Sequence, residues 1–283
     1  MPRAHLEFIQ TQMLSWMPFP STSSHTGCEF KLLSHDPNSG AESLLIRYPK
    51  GYAETRPHFS DSDEELYVID GSLKIGYQTY IAEDYAYFPA GYVRENIISH
   101  EGAVVLTFFE SDHAATFKIP TNSVYDKDRL IIQIRSSEMK WESIGETNVV
   151  GPGIGRKEFR FDPVTQERSW VLKIGETDPN EVTESKIETH PCVEEMYLLG
   201  GSISMTIGVL RQGAYFWRPP HIPHGPFGCR DGSLAFFRTK EGEFLTNWSN
   251  HAERINWNAP YEPILPDDTV AQINQKYDTS LPY

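Results

Sequence analysis

Four side chains that can ligate a metal lie in two short stretches of the second half of the chain. Glu188, His190 and Glu194 stand at even spacing, so an extended strand points all three to one face. His224 follows later, at the end of a proline-rich turn. Two imidazoles with one or two carboxylates, and no required thiolate, form the ligand set of iron, manganese, zinc, nickel or copper rather than of calcium. These residues therefore predict one divalent transition metal ion.

The spacing around the first three residues resembles a motif of the cupin superfamily. Its usual form, G-x5-H-x-H-x(3,4)-E-x6-G, is matched here by His190, Glu194 and Gly201. Glu188 occupies the position at which the family has its first histidine. The role of Glu188 stays open between a fourth ligand and an outer carboxylate that accepts a hydrogen bond from a ligand histidine.

The second cupin motif, G-x5-P-x-G-x2-H-x3-N, is matched by Gly213, Pro219 and His224. His221 takes the inner glycine position, and Gly228 takes the final asparagine position. Together the two motifs imply a small antiparallel jelly-roll barrel with a metal ion near its middle. The metal ligands that the resemblance implies are His190, Glu194, His224 and, with its role open, Glu188.

Three residues near these ligands are candidates for other chemistry. His221 is either a base at the mouth of the site or a turn histidine that bonds only to the backbone. Glu188, if it does not bind the metal, is a candidate acid or base that faces the substrate. Cys192 shares a strand face with His190, but the motif favours Glu194, so we interpret Cys192 as a bystander.

The chain contains an internal duplication. A shift of 130 positions aligns Glu64–Ser72 with Glu194–Ser202, and five of the nine paired residues are identical. Farther upstream, Ile9–Trp16 resembles Ile134–Trp141. A repeat of this length indicates a doubled domain, because the repeats that build solenoids are much shorter.

The first half of the chain has different residues at the ligand positions. The shift places there His58, Ser60, Glu64 and Arg94. A guanidinium stays protonated and cannot bind a cation. The simplest interpretation is that the first domain has lost its metal and that Arg94 pairs with Glu64. The sharper alternative is that Arg94 holds a carboxylate ligand through a bidentate contact.

Short apolar or alternating runs, rich in β-branched and aromatic residues and broken by glycine and proline, indicate an all-β fold. With the resemblance, the fold class is two tandem cupin jelly-roll barrels followed by a short C-terminal helix. We place the first barrel at residues 1–125 and the second at residues 126–283. Acidic residues and a partial apolar stripe predict the helix over Pro266–Lys276, and Asp70-Gly71 and Gly200-Gly201 predict hairpin turns.

Composition excludes several classes of partner. The 283 residues carry a net charge of −14 without a basic cluster, which excludes nucleic acid and anionic membrane surfaces as partners. The sequence shows neither a cleavable leader nor the apolar run of about 20 residues that a membrane helix needs. Three scattered cysteines, Cys28, Cys192 and Cys229, suit a reducing, cytoplasmic compartment. Because jelly-roll domains leave sheet edges, we expect a homodimer.

The leading functional hypothesis is a metal-dependent enzyme that acts on a small molecule, with oxygen-dependent cleavage ahead of lyase or isomerase chemistry. The chain also resembles bacterial bicupins related to the cupin domain of the ChrR anti-sigma factor. That resemblance implies a second hypothesis, a non-catalytic sensor of a metal or ligand. The sequence feature against a sensor is that no helical appendage for binding a sigma factor or DNA is visible.

Overall fold

The computed structural model describes residues 3–119, 124–144 and 153–283. Within these residues the chain is nearly all β, and the predicted all-β fold is confirmed. Helical structure there consists of two single turns of 3-10 helix, at Thr11–Met13 and Ser136–Glu138, and of the α-helix α1 at Asp267–Gln272. No helix in this part of the chain has the length and apolarity needed to cross a membrane.

The helix α1 is shorter than the predicted range Pro266–Lys276. Asp267 and Asp268 lie in its first turn, where negative charge is favourable. The helix stops at Gln272 because Ile273 is extended, with φ −70° and ψ 116°, and forms a β-bridge with Leu14. A tertiary backbone contact therefore overrides the local helical preference.

The first compact unit comprises Met1–Ala4 and Ser15–Met139. Its main antiparallel sheet has the strand order β13-β9-β7-β11-β4-β3-β2, with β8 and β10 on β7, β5 on β10, and β12 on β6. Apolar residues that alternate along β4, β7 and β11 point into its core. Its strands are β2 Met17–Pro18, β3 Glu29–His35, β4 Glu42–Tyr48, β5 Tyr52–Glu54, β6 Phe59–Ser60, β7 Glu64–Ile75, β8 Gln78–Ile81, β9 Asp84–Phe88, β10 Ile97–Ser99, β11 Ala103–Phe109, β12 Ala115–Thr116 and β13 Ile131–Arg135.

The second unit comprises His5–Leu14 and Lys140–Tyr283. Its main sheet has the order β1-β19-β17-β20-β15-β14, with β18 on β17, and a two-stranded sheet joins β16 and β21. The core contains buried residues of β17, β18, β19 and β20. Its strands are β1 Leu6–Gln10, β14 Gly155–Phe161, β15 Arg168–Ile174, β16 Glu184–Thr189, β17 Val193–Met205, β18 Gly208–Arg211, β19 Ala214–Arg218, β20 Ser233–Lys240 and β21 Asn247–Arg254.

The two compact units divide the chain at other places than the predicted boundary between residues 125 and 126. Strand β1 belongs to the second unit, where Ile9 pairs with Tyr215 of β19. Strand β13 belongs to the first unit, where Ile134 pairs with Tyr85 of β9. Both strands come from the upstream segments that the duplication repeats. Each barrel is thus completed by the segment that precedes the other barrel's strands, a pairing between distant residues that local composition does not encode.

The hairpin turns predicted at Gly71 and Gly201 are wrong. Both glycines lie inside the long strands β7 and β17, next to β-bulges in their pairing with β11 and β20. Their φ angles are +74° and +76°, and an added Cβ would lie 2.1 Å from a carbonyl oxygen in each case. Glycine is needed there because the bulge bends a strand. The hairpins follow instead where Ile75 pairs with Gln78 and Met205 with Gly208.

Candidate metal centre

Three potential ligands converge inside the second barrel. One ligand atom each from Glu188, His190 and His224 lies within 4.8 Å of the other two. The Oε1 atom of Glu188 is 3.3 Å from Nε2 of His224 and 3.7 Å from Nε2 of His190. Two imidazoles and one carboxylate that face a single point form the ligand set of divalent transition metals.

Backbone pairing fixes this arrangement. Glu188 lies near the end of β16, and its amide donates to the carbonyl oxygen of His224 over 2.9 Å, while the amide of His224 donates back over 3.0 Å. The amide of His221 donates to the carbonyl oxygen of His190 over 2.7 Å. The turn that carries His224 is therefore held against the end of β16, which carries Glu188, and against His190 just beyond it, so Glu188, His190 and Glu194 do not lie on one continuous strand as predicted.

The histidine side chains are oriented for metal binding. Nδ1 of His190 lies 3.0 Å from the carbonyl oxygen of Leu245, and Nδ1 of His224 lies 2.8 Å from that of Ile222. Because a carbonyl oxygen only accepts, Nδ1 of each ring carries a proton, and Nε2 is the ring atom that remains for a metal ion. Both Nε2 atoms are buried and have no hydrogen-bond partner. A metal ion bound between these two nitrogen atoms would give each of them the partner that it lacks.

Glu194 lies beside the cluster and has a second attachment. Its Oε1 is 3.8 Å from Nε2 of His190, and its Oε2 is 3.5 Å from Nε2 of His224. The same Oε2 accepts a hydrogen bond from the guanidinium of Arg218. Arg218 is buried and also donates from Nε to Oε2 of Glu7 over 2.8 Å. An arginine thus fixes the orientation of the fourth predicted ligand.

The carboxylates around the candidate site carry more negative charge than the neighbouring guanidinium neutralises. Burial raises the pKa of Glu188, but the imidazoles of His190 and His224 outweigh it and hold the pKa at about 2. Burial likewise raises the pKa of Glu7, and Arg218 outweighs it to hold that pKa at about 2. With Glu194 in its ion pair, three carboxylates face one guanidinium. When both imidazoles are neutral, as metal ligands must be, the two remaining negative charges match one divalent cation, which offsets the cost of their burial.

A small cavity of about 60 Å³ adjoins the candidate ligands. Glu188, Glu194, Arg218 and His224 line it, and the remaining lining residues are apolar, including Met196, Met205 and Phe216. Since a water molecule occupies about 30 Å³ in the liquid, this space holds about two water-sized groups. A metal ion here has room for small exchangeable ligands in largely apolar surroundings.

The other candidates lie outside the cluster. His221 is exposed and adopts a φ of +67° in the turn, so its imidazole is not part of the cavity lining. Cys192 is buried, and burial raises the pKa of its thiol to about 12. A thiol that stays protonated is a poor metal ligand, which agrees with its interpretation as a bystander.

The corresponding positions of the first barrel hold an ion pair. His58 and Arg94 form the same reciprocal backbone bridge as Glu188 and His224, with N to O distances of 2.9 and 2.8 Å. The buried guanidinium of Arg94 pairs with Glu64, so the predicted Glu64–Arg94 pair is confirmed. Within the described ranges, the second barrel contains the single cluster of metal-ligating residues.

Arg218 and Glu7 were not predicted as site residues. Arg218 lies opposite Glu194 in the β17–β19 pair, and Phe88 lies opposite Glu64 in the first barrel. The sequence contained a signal for Arg218, because the duplication aligns it with Phe88. An arginine in place of a phenylalanine is unexpected inside a buried strand. Glu7 gave a weaker signal, as the single charged residue of β1, all of which is buried.

A family model described as a domain of unknown function, DUF4437, matches residues 7–247. The chain belongs to the DUF4437 family. No curated protein is similar in sequence to this DUF4437 chain. Its candidate site therefore has to be interpreted from its own geometry and from its fold.

Solved structures show the fold of this DUF4437 chain. A putative dioxygenase from Nostoc punctiforme superimposes with a TM-score of 0.75 at 17% identity, covering 89% of this chain and 91% of that one. Oxalate decarboxylase from Bacillus subtilis superimposes with a TM-score of 0.57 at 14% identity, covering 87% and 80%. A further structure of that decarboxylase, at 13% identity with a TM-score of 0.56 and the same coverage, concerns its Mn(II) centres. Both proteins have the cupin fold, so the DUF4437 chain has a bicupin fold.

Proposed function

We propose that this chain is a metal-dependent enzyme for a small molecule, with oxygen-dependent cleavage as its leading chemistry. The observation that carries the proposal is the pair of buried Nε2 atoms of His190 and His224, which face Glu188 beside a small cavity. Two histidines and one carboxylate with open positions form the ligand set of non-haem iron oxygenases. The similarity to the Nostoc protein supports the same direction.

In this proposal each side chain of the site has a separate role. Glu188, His190 and His224 hold the metal and leave positions open, and Arg218 holds Glu194 beside them in an ion pair. A bound divalent metal would supply Lewis acidity and access to redox chemistry. The largely apolar cavity wall limits the number of water molecules beside the reacting groups. Because the space is about 60 Å³, the substrate is very small or places only a small group inside the barrel.

The second candidate is a non-catalytic metal or ligand sensor, in line with the proposed relation to ChrR-like cupins. The observation that favours it is the presence of four possible protein ligands, Glu188, His190, Glu194 and His224, around one point. Four protein ligands close a coordination sphere, which is typical of structural sites, whereas catalytic sites keep an open position. The number of open positions therefore separates the two functions.

Nitric oxide binding to the iron(II)-loaded chain tests for an open position. We expect one nitric oxide per bound iron by electron paramagnetic resonance under anaerobic conditions, because the three ligands Glu188, His190 and His224 leave open positions on a six-coordinate ion. His58→Ala, which alters the corresponding histidine of the first barrel, serves as the control and retains the signal. Bound iron that takes up no nitric oxide would favour the sensor. If nitric oxide binds, small carboxylic acids are then tested as substrates by measuring oxygen uptake.

A further inference from the structure

The second unit contains a groove that is separate from the metal cavity. Its volume is about 770 Å³, within the range of about 300–1,000 Å³ that is typical of small-molecule sites. Residues from β1, from the β17–β18 hairpin and from the segment 257–277 line it, and none of these residues lines the metal cavity. The groove therefore offers a place for a ligand that the proposed reaction does not use.

Basic side chains converge on this groove. Arg211, Arg230 and Lys276 line it and are exposed, whereas Asp231 is its one lining carboxylate. Asp231 accepts a hydrogen bond from the hydroxyl of Ser202 over 2.8 Å. Within the described ranges none of the three basic residues forms an ion pair. In a chain with a net charge of −14, three unpaired cations in one groove create a local attraction for an anion.

An aromatic wall stands beside these charges. Trp257, Tyr261 and Tyr277 line the groove. The guanidinium of Arg230 lies 5.9 Å from the ring centroid of Trp257, and the buried Nε1 of Trp257 has no acceptor. An indole ring that lines the groove beside a guanidinium suits a planar ligand that carries negative charge.

A departure from the cupin motif creates this wall. Gly228 stands at the motif's asparagine position, and a Cβ there would lie 2.3 Å from the ring of Trp257. Gly228 bridges to Ser204 in the second barrel, whereas the corresponding pair in the first barrel is Ile98 and Lys74. A side chain at position 228 would displace the indole ring, so the glycine is what admits Trp257 against the barrel.

We propose that this groove binds a small planar anion, an aromatic ring bearing a carboxylate, sulfonate or phosphate. The ring stacks against Trp257, and the acid group lies among Arg211, Arg230 and Lys276. Aromatic stacking provides contact area, and the three cations select for negative charge. Binding at this groove does not require the metal, because the two lining sets share no residue.

Two matched dyes test the proposal by isothermal titration calorimetry on the full chain. Anilinonaphthalene sulfonate carries the acid group, and phenylnaphthylamine has the same rings without it. We expect one sulfonate dye per chain, bound about 10-fold more tightly than the neutral dye, as expected for charge-assisted contacts. Metal-free and metal-loaded protein should bind it alike.

Variants locate the binding site. Arg230→Gln is expected to weaken sulfonate-dye binding by about 10-fold and to leave the neutral dye unchanged, and Trp257→Ala is expected to weaken both dyes. Arg254→Gln is the matched control, since Arg254 is exposed at the end of β21 and does not line the groove. Equal affinity for the two dyes, or equal effects of the Arg230 and Arg254 variants, would overturn the proposal. Because Arg230 is exposed, its replacement does not endanger folding.

Discussion

Replacing His224 by alanine is expected to weaken metal binding by more than 100-fold. The substitution deletes one of two imidazoles whose buried Nε2 atoms face Glu188. Loss of a partner outside the ligand shell typically costs about 10- to 100-fold in affinity, and loss of a direct ligand should cost more. Competition with a chelator of known affinity measures the dissociation constant.

His58→Ala is the matched control for this experiment. His58 is buried in the first barrel, and its Nδ1 lies 3.0 Å from the carbonyl oxygen of Arg56, much as the Nδ1 atoms of His190 and His224 face carbonyl oxygens. The neighbouring Arg94 occupies the fourth position with a fixed positive charge, so this variant should keep the wild-type metal affinity. Equal weakening in the two variants would show that the first barrel contributes to metal binding, and our account would be wrong.

Replacing Arg218 by leucine is expected to destabilise the metal-free protein by about 3–5 kcal/mol. Arg218 is 2% exposed and is the cation that pairs with both Glu7 and Glu194. Without it two buried carboxylates lose their guanidinium partner, and the loss of one partner of a buried ion pair typically costs this much. Chemical denaturation near neutral pH measures the free energy of unfolding.

The same variant has a predicted pH dependence. In the wild type the pKa of Glu7 is lowered from 4.5 to about 2, so its contribution to stability is present above about pH 4.5 and disappears as the pH falls through about 2. The stability difference between wild type and Arg218→Leu should therefore shrink on acidification. Adding Glu7→Gln to the variant should recover part of the loss. The exposed Arg254→Leu control should cost little, and an equal loss there would contradict the interpretation.

Both barrels neutralise the motif glutamate with an arginine, but from different positions. In the first barrel Arg94 stands at a ligand position and pairs with Glu64. In the second barrel Arg218 stands on the neighbouring strand β19 and pairs with Glu194, which leaves His224 free to bind. The position of the arginine is therefore what distinguishes the two barrels. Only the barrel whose arginine lies outside the ligand positions keeps its candidate metal site.

Much of the fold could be predicted from the sequence because its signals are local or repeated. Alternating apolar residues indicated strands, and the shift of 130 positions indicated two barrels. The exchange of β1 and β13 could not be predicted, since strand pairing between distant residues leaves no local signature. Gly71 and Gly201 were mistaken for hairpin turns because a bulge and a turn both favour glycine with positive φ.

The candidate site was predictable where ligand types and spacing determine it. Glu188, His190 and His224 lie close to one another, as their types and spacing predict. How they are arranged around a common point depends on tertiary structure. The ion pair between Glu194 and Arg218 depends on which residues oppose each other across β17 and β19. Glu7 reaches this pair from the other end of the chain, a contact that motif spacing does not contain.

The metal content of the purified full-length chain tests the central claim most directly. After reconstitution with iron, manganese or zinc and removal of excess ion, elemental analysis should give about one metal per chain. This ratio follows from ligands that converge in the second barrel and from the Glu64–Arg94 ion pair that replaces them in the first. Two metal ions per chain, or none with any of these metals, would contradict the account.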